Sequence, residues 1–187
     1  MRVFIALDIS ENVRAGLRDF ISQLAKTTRG ARWVRPEAMH LTLKFIGEAK
    51  PETVEKIKSK LREVRSADPV DMRFRGIGFF PNERRPRVLW VGIEASANLA
   101  ELAGEIEKRI ESLDIPRESR PFVPHLTLAR FDREKETVDL SKGVEQLGPP
   151  EFGSARAAEF HLYQSVLKRS GAEYTRLESF HFLKPAS

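Results

Sequence analysis

The chain has 187 residues, 41% of them hydrophobic and 32% charged, with 32 Lys and Arg against 27 Asp and Glu for a net charge of +5. That length supports one continuous core or two small lobes sharing an interface, and the composition excludes both a disordered polymer and a run of apolar residues able to cross a membrane. The absence of cysteine excludes disulfides, thiolate metal sites and cysteine nucleophiles, and biases the expected compartment toward the cytoplasm.

The opening MRVFIALDIS has neither a basic leader nor a small-residue cleavage site, so residues 2 to 8 are read as a buried strand. Ser10 then caps a helix whose Val13, Leu17, Phe20, Ile21 and Leu24 recur at helical spacing, with Gly30 closing it. RWVRPEA leads into the strand MHLTLKFI, ended by Gly47, and Pro51 opens a second helix carrying Val54, Ile57, Leu61 and Val64. VDMRFRGIGFF and PRVLWVGIE are two strands of a hairpin turned at the arginine-rich PNERRP. A third helix carries Leu99, Leu102, Ile106, Ile110 and Leu113, followed by the loop DIPRESRPFVP and the strand HLTLARF. A weaker helix is expected over Val138 to Leu147. Two last strands, Ala155 to Tyr163 and Tyr174 to Leu183, are joined by QSVLKRSGAE.

HLTL occurs twice, with His40 and His125 standing 85 residues apart, and each copy follows an Arg-Pro pair at the same distance. One offset of 85 also places Arg2-Val3 on Arg87-Val88, Leu17 on Leu102, Ile21 on Ile106 and Arg35-Pro36 on Arg120-Pro121. A duplicated supersecondary unit explains the coincidence, and two units are too few for a solenoid. The expected fold is α+β: a single bilobal domain over residues 1–187 with approximate twofold symmetry, antiparallel or mixed sheets, helices on their outer faces and a central cleft.

Side chains alternate across a strand, so His40 shares a face with Thr42 and His125 with Thr127, while the leucines point into the core. A twofold axis would bring both pairs to one cleft. Two imidazoles with a reference pKa near ~6.5 can act in opposite protonation states, one taking a proton from water and the other giving one to a departing sugar oxygen. The threonine hydroxyls can bind the nonbridging oxygens of a phosphodiester. No metal is needed: no Cys, no H-x-x-x-H helix and no carboxylate near either motif supports a zinc site. An isolated histidine is by default a half-buried or surface residue, and His161 and His181 are read that way.

These residues resemble the 2H phosphoesterases, and within them the RNA 2',3'-cyclic phosphodiesterases also called 2'-5' RNA ligases. The likeness spans RVFIALDI, RWVRPEAMHLTLKFIGE, RGIGFFPNERRPRVLWVGIE, RPFVPHLTLARF and EFGSARAAEFHLYQSVLKRSGAEYTRLESFHF. It implies a bilobal fold and metal-free, cofactor-free hydrolysis of a 2',3'-cyclic phosphate RNA end to a 2'-phosphomonoester. His40 would be the proton donor to the 3'-oxygen and His125 the acceptor from water. The nearly symmetric motifs do not by themselves fix that direction. The implied partner is RNA with a cyclic phosphate end, tRNA fragments included, and the protein is expected to be a cytoplasmic monomer without membrane contact.

The family also places an Arg beside the phosphate after the second His, here Arg130. Strand alternation turns Arg130 away from the cleft unless the strand bulges. The same count puts Lys44 on the face of His40, toward a phosphate or at a solvated rim, and Phe45 in the core. Trp90 is read as core because it aligns with Ile5. Arg32, Arg35, Arg120 and PNERRPR are candidate phosphate contacts on RNA, against the plainer reading of solvated arginines. Three alternatives stand beside hydrolysis: 2'-5' ligation by the same histidines, turnover of small cyclic nucleotides, and a catalytically silent module that binds RNA ends.

Overall fold

The computed structural model describes residues 1–66, 68–132, 144, 149–169 and 171–182. The first half runs β1 (Arg2–Leu7), α1 (Glu11–Thr27), β2 (Ala31–Trp33), a 3-10 turn at Pro36–Ala38, β3 (Leu41–Glu48), α2 (Pro51–Leu61) and β4 (Val70–Phe80). The second runs β5 (Val88–Ala95), α3 (Asn98–Glu111), β6 (His125–Phe131), β7 (Glu151–Ala157), β8 (Glu159–Lys168) and β9 (Gly171–His181). The helix expected over 138–147 lies outside the described residues, Val144 apart.

Two sheets carry the fold, ordered β3-β1-β8-β9 and β2-β6-β5-β4-β7. Every pairing in them is antiparallel, so the sheets are not mixed. Two departures from the sequence reading affect the site. RWVRPEA is not only a linker: Ala31–Trp33 forms a short edge strand on β6, with Trp33 opposite Ala129. QSVLKRSGAE is mostly strand, because β8 and β9 stay paired out to Lys168 opposite Gly171, whose φ of 118° suits a glycine at the tip.

In α1 capping and periodicity agree. The Ser10 hydroxyl accepts from the Val13 N–H at 3.4 Å, and Val13, Leu17, Phe20 and Leu24 bury one stripe of α1. Each such side chain contributes about 1.5–3 kcal/mol by leaving water. Each long helix crosses to the other half's sheet. Although α1 follows β1, it lies on β7, where Gly16 approaches Phe152 and the Phe20 and Phe152 rings meet edge to face at 5.1 Å. Likewise α3 follows β5 and packs on β3 and α2. Among the described residues, the helix-side apolar side chains of both sheets join those of α1, α2 and α3 in one cluster, and Phe4, Ala6 and Tyr163 form a separate small one. No helix among the described residues is long and apolar enough to cross a membrane.

The duplication is real, but its register varies along the chain. Opposite the matching motif residues stand Ala6 and Trp90 (on Thr42 and Thr127) and Leu7 and Val91 (on Leu41 and Leu126). The equivalent strands β1 and β5 are therefore offset by 84, not 85. In the helices, Val13, Leu17, Phe20 and Leu24 correspond in burial to Leu99, Ala103, Ile106 and Ile110, an offset of 86.

Candidate active site

Both HLTL strands carry a bulge at the same place. In β3, Ile5 stands opposite Lys44 but Ala6 opposite Thr42, leaving Leu43 as the extra residue. In β6, Leu89 faces Ala129 and Trp90 faces Thr127, leaving Leu128. Two successive residues then point to the helix side in each strand, Leu43 with Lys44 and Leu128 with Ala129. Beyond the bulge the alternation is inverted, which turns Phe45 and Arg130 onto the face of Thr42 and Thr127.

This corrects three sequence readings. Phe45 is not core: it is 52% exposed, with the Arg2 guanidinium 5.0 Å from its ring centroid. Lys44 does not share the face of His40. It is buried under α3, bonded to the Glu107 carboxylate at 2.8 Å and the Pro116 carbonyl at 2.7 Å. Trp90 is not in the helix-side core either. The one-residue difference in offset equates it with Ala6 rather than Ile5, and its ring lies over Gly78, where a Cβ would come within 2.0 Å of it. The Trp90 indole N–H is buried without a partner among the described residues. Arg130, by contrast, meets the bulge condition and reaches the motif face opposite Val88.

The two imidazoles are held alike. His40 Nδ1 is 3.2 Å from the Ala38 carbonyl and His125 Nδ1 is 2.8 Å from the Val123 carbonyl, so each ring donates there and leaves Nε2 for other chemistry. Their surroundings differ. His40 is enclosed by the rings of Tyr163, Tyr174 and Phe4 at 4.5, 5.5 and 6.2 Å, and its side chain is 8% exposed. His125 is half-buried, edge-on to Phe80 at 5.7 Å and Trp90 at 6.3 Å.

A cluster that the sequence reading passes over surrounds His40. Asp8, just past the end of β1, places Oδ1 3.5 Å from His40 Nε2 and accepts a 2.5 Å bond from the Tyr163 hydroxyl. Its other oxygen pairs with Arg176 and lies 3.5 Å from Nε2 of His161. Burial pushes the His40 pKa below the ordinary histidine range, and the Asp8 carboxylate opposes that fall. Burial, then the bond to Asp8, lifts Tyr163 to about 12. His161 is 1% exposed, not a surface residue, with Ser179 Oγ 2.9 Å from Nδ1; burial lowers its pKa too. His181 has a 77% exposed side chain beside Glu159. The signal available in the sequence is period two: Phe4, Ala6 and Asp8 fall on one face of β1, as do His161 and Tyr163 on β8.

The two motif strands lie on different sheets, joined by a short tether. The Val34 N–H donates to the Leu128 carbonyl at 2.8 Å, and His40 follows six residues later. Even fully extended those six residues span at most about 20 Å, and three of them are wound in the 3-10 turn. The peripheral arginines are partly engaged: Arg32 with Asp132 at 2.9 Å, Arg35 with the Ala172 carbonyl at 3.4 Å, and Arg120 with Glu118 at 3.2 Å. At the hairpin tip Asn82 accepts from the backbone of Arg84 and Arg85, at 3.1 Å each, presenting both side chains to solvent. No group of three or more His, Asp or Glu among the described residues is arranged to hold a metal ion.

Comparison with known proteins agrees with this architecture. The LigT-like phosphoesterase family profile matches twice, over residues 7–90 and 91–174. A protein of Archaeoglobus fulgidus named RNA 2',3'-cyclic phosphodiesterase is 33% identical over 181 residues, covering 96% of this chain and 99% of its own. A Thermus thermophilus protein of the same name is 36% identical over 192 residues, covering 96% of this chain and 89% of its own. A crystal structure of a Thermus thermophilus protein superposes with a TM-score of 0.81 at 34% identity, covering 97% of this chain and 98% of the other. E. coli LigT complexed with 3'-AMP gives 0.77 at 28% identity, with 97% of each chain covered. With one profile falling once on each half and full-length relatives above 30% identity, the chain belongs to the LigT-like phosphoesterase family.

Proposed function

We propose that this phosphoesterase hydrolyses RNA ends carrying a 2',3'-cyclic phosphate to a 2'-phosphomonoester and a free 3'-hydroxyl, with His40 as acid and His125 as base and without a metal. The observation that carries the reading is the matched pair of strands: each presents an imidazole with Nδ1 already committed and a threonine hydroxyl on the same face. The names of the relatives agree with that substrate.

On this reading the phosphorus sits between the two Nε2 atoms. His125 takes a proton from water as its oxygen attacks, the bond from phosphorus to O3' breaks on the opposite side, and His40 gives its proton to O3'. The Thr42 and Thr127 hydroxyls donate to the nonbridging oxygens, where the transition state carries its charge. Arg130, turned to that face by the bulge, adds a guanidinium there. Afterwards His125 holds the proton that His40 has lost, and exchange with water resets both.

The test is a defined oligonucleotide ending in a 2',3'-cyclic phosphate, incubated with EDTA, with the product end identified. A 2'-phosphate is expected. His40→Ala and His125→Ala should each lower kcat at least about 100-fold while leaving the melting temperature and most RNA affinity in place. Near wild-type hydrolysis by both variants would refute the acid and base assignment, and a 2'-5' joined product outrunning the 2'-phosphate would make ligation the principal role.

A further inference from the structure

We infer that Asp8 is a positioning residue that favours a proton on His40 against the burial of its ring, and that it biases which of two near-identical motifs acts as the acid. The inference rests on the proposed role of His40. Its basis is a difference between the halves. Leu7 stands opposite Leu41 and Val91 opposite Leu126, so the next residues, Asp8 and Gly92, occupy equivalent places beside His40 and His125. Asp8 reaches Nε2 of its histidine at 3.5 Å. Gly92 has no side chain, and none fits: a Cβ there would lie 2.8 Å from the Arg75 carbonyl oxygen, held close by the irregular register of β4 between Phe74 and Ile77. The second half is thus built without a carboxylate at the position where the first half has one.

Asp8 is itself held. Tyr163 on β8 and Arg176 on β9 bond to it, one on each oxygen, and Ser179 on β9 steadies the His161 ring on its far side. The other charged or titratable groups facing His40 are Arg14 on α1, whose guanidinium donates to the Pro36 carbonyl at 2.8 Å, His161 on β8, and Tyr174 on β9. Glu159 and His181 stand behind His161. Lys44 is on the opposite face with Glu107. Burial of the ring opposes a cationic His40, as do Arg14 and His161 when protonated; the Asp8 carboxylate favours it first and the Ala38 carbonyl second, and of these two only the carbonyl contact has a counterpart at His125. Its 3.5 Å contact is long enough for Nε2 also to meet the leaving oxygen of a bound substrate.

The experiment follows the His40 ring by NMR titration in the full-length protein, assigned through its loss in His40→Ala, together with kcat/KM against pH on an oligonucleotide ending in a 2',3'-cyclic phosphate. In Asp8→Asn the His40 titration should move down by about one unit. The ratio of variant to wild-type kcat/KM should then be near one at the acid end and fall to about a tenth at the alkaline end, because fewer His40 rings hold a proton there. Arg176→Met keeps the carboxylate but removes its counter-charge, so it should move the same titration up. An unmoved His40 titration in Asp8→Asn overturns the inference whatever the activity does. A deficit equal at every pH does so too, since it marks a purely structural residue. A titration that moves while the pH profile does not would instead remove His40 from the role of acid, and the inference with it. If Asp8→Asn fails to fold, Arg176→Met alone decides, and a titration that stays or falls overturns the inference.

Discussion

Replacing Lys44 by Met discriminates between the bulged strand and simple alternation. In the bulged strand the ammonium is 5% exposed against a Glu107 carboxylate that is 13% exposed, and it also donates to the Pro116 carbonyl. Met fills much of the same volume but leaves a nearly buried carboxylate without its partner, and stripping one member from such a pair costs about 3–5 kcal/mol. The residual exposure of Glu107 reduces this toward about 3 kcal/mol, which in a chain of this size lowers the melting temperature by roughly 6–12 °C. Lys44→Met with Glu107→Leu should recover most of that loss, since two apolar side chains under α3 need no partner. Thermal melts of the single and double variants would be read beside KM for a cyclic-phosphate oligonucleotide, expected to stay within about two-fold of wild type because the side chain lies on the helix side of β3. A raised KM with an unchanged melting temperature would place Lys44 in the cleft and refute the bulge.

Gly78→Ala should be destabilising by about 1–3 kcal/mol, because the new methyl would overlap the Trp90 ring, 2.0 Å away, and push it off the strand. A shift in tryptophan emission should accompany lower kcat/KM, as the ring beside His125 is displaced, and unchanged emission would show that the ring does not lie there. Stability should also fall on acidification: burial lowers the pKa of both His40 and His161 in the folded state, so below about pH 6.5 the unfolded chain binds more protons. The contribution is complete above that pH and is lost as pH drops through the folded-state values. His161→Asn should flatten the decline in melting temperature between pH 7 and 5, and an equally steep decline would argue that the ring is already protonated in the native protein.

The doubled HLTL, the α+β class and the duplicated unit are legible in the sequence because each depends on residue identity at a repeated spacing. What is not legible depends on single-residue register. A gapless offset of 85 suits His40 and His125, but β1 and β5 correspond at 84. One residue of error in a strand moves every side chain to the other face, which is why counting by 85 puts Trp90 in the core. The bulges at Leu43 and Leu128 have the same effect on Phe45 and Lys44, and nothing in LTLKF or LTLARF distinguishes a bulged strand from a straight one. Asp8 escapes for a different reason. Searching for what the halves share cannot find a residue whose counterpart is glycine.

Those unshared positions are where a twofold framework can accommodate a reaction that is not twofold. In-line hydrolysis puts water on one side of the phosphorus and a sugar oxygen on the other, so two identical imidazoles would have no preference between giving and taking a proton. Among the equivalent positions at which the motif faces differ, two carry a charge in one half only. Asp8 beside His40 is matched by Gly92 beside His125, and Phe45 beyond the first bulge by Arg130 beyond the second. On the proposed chemistry the carboxylate favours a proton on the side where the leaving oxygen needs one, while the guanidinium stands on the side where water enters and can meet the phosphate's negative charge. Neither residue could exchange places without cost. A carboxylate near His125 would clash with the Arg75 carbonyl, and a second cation at the place of Phe45 would stand against Arg2, whose guanidinium is 5.0 Å from that ring. On that proposal the shared histidines and threonines make the reaction possible, and Asp8 with Arg130 gives it a direction.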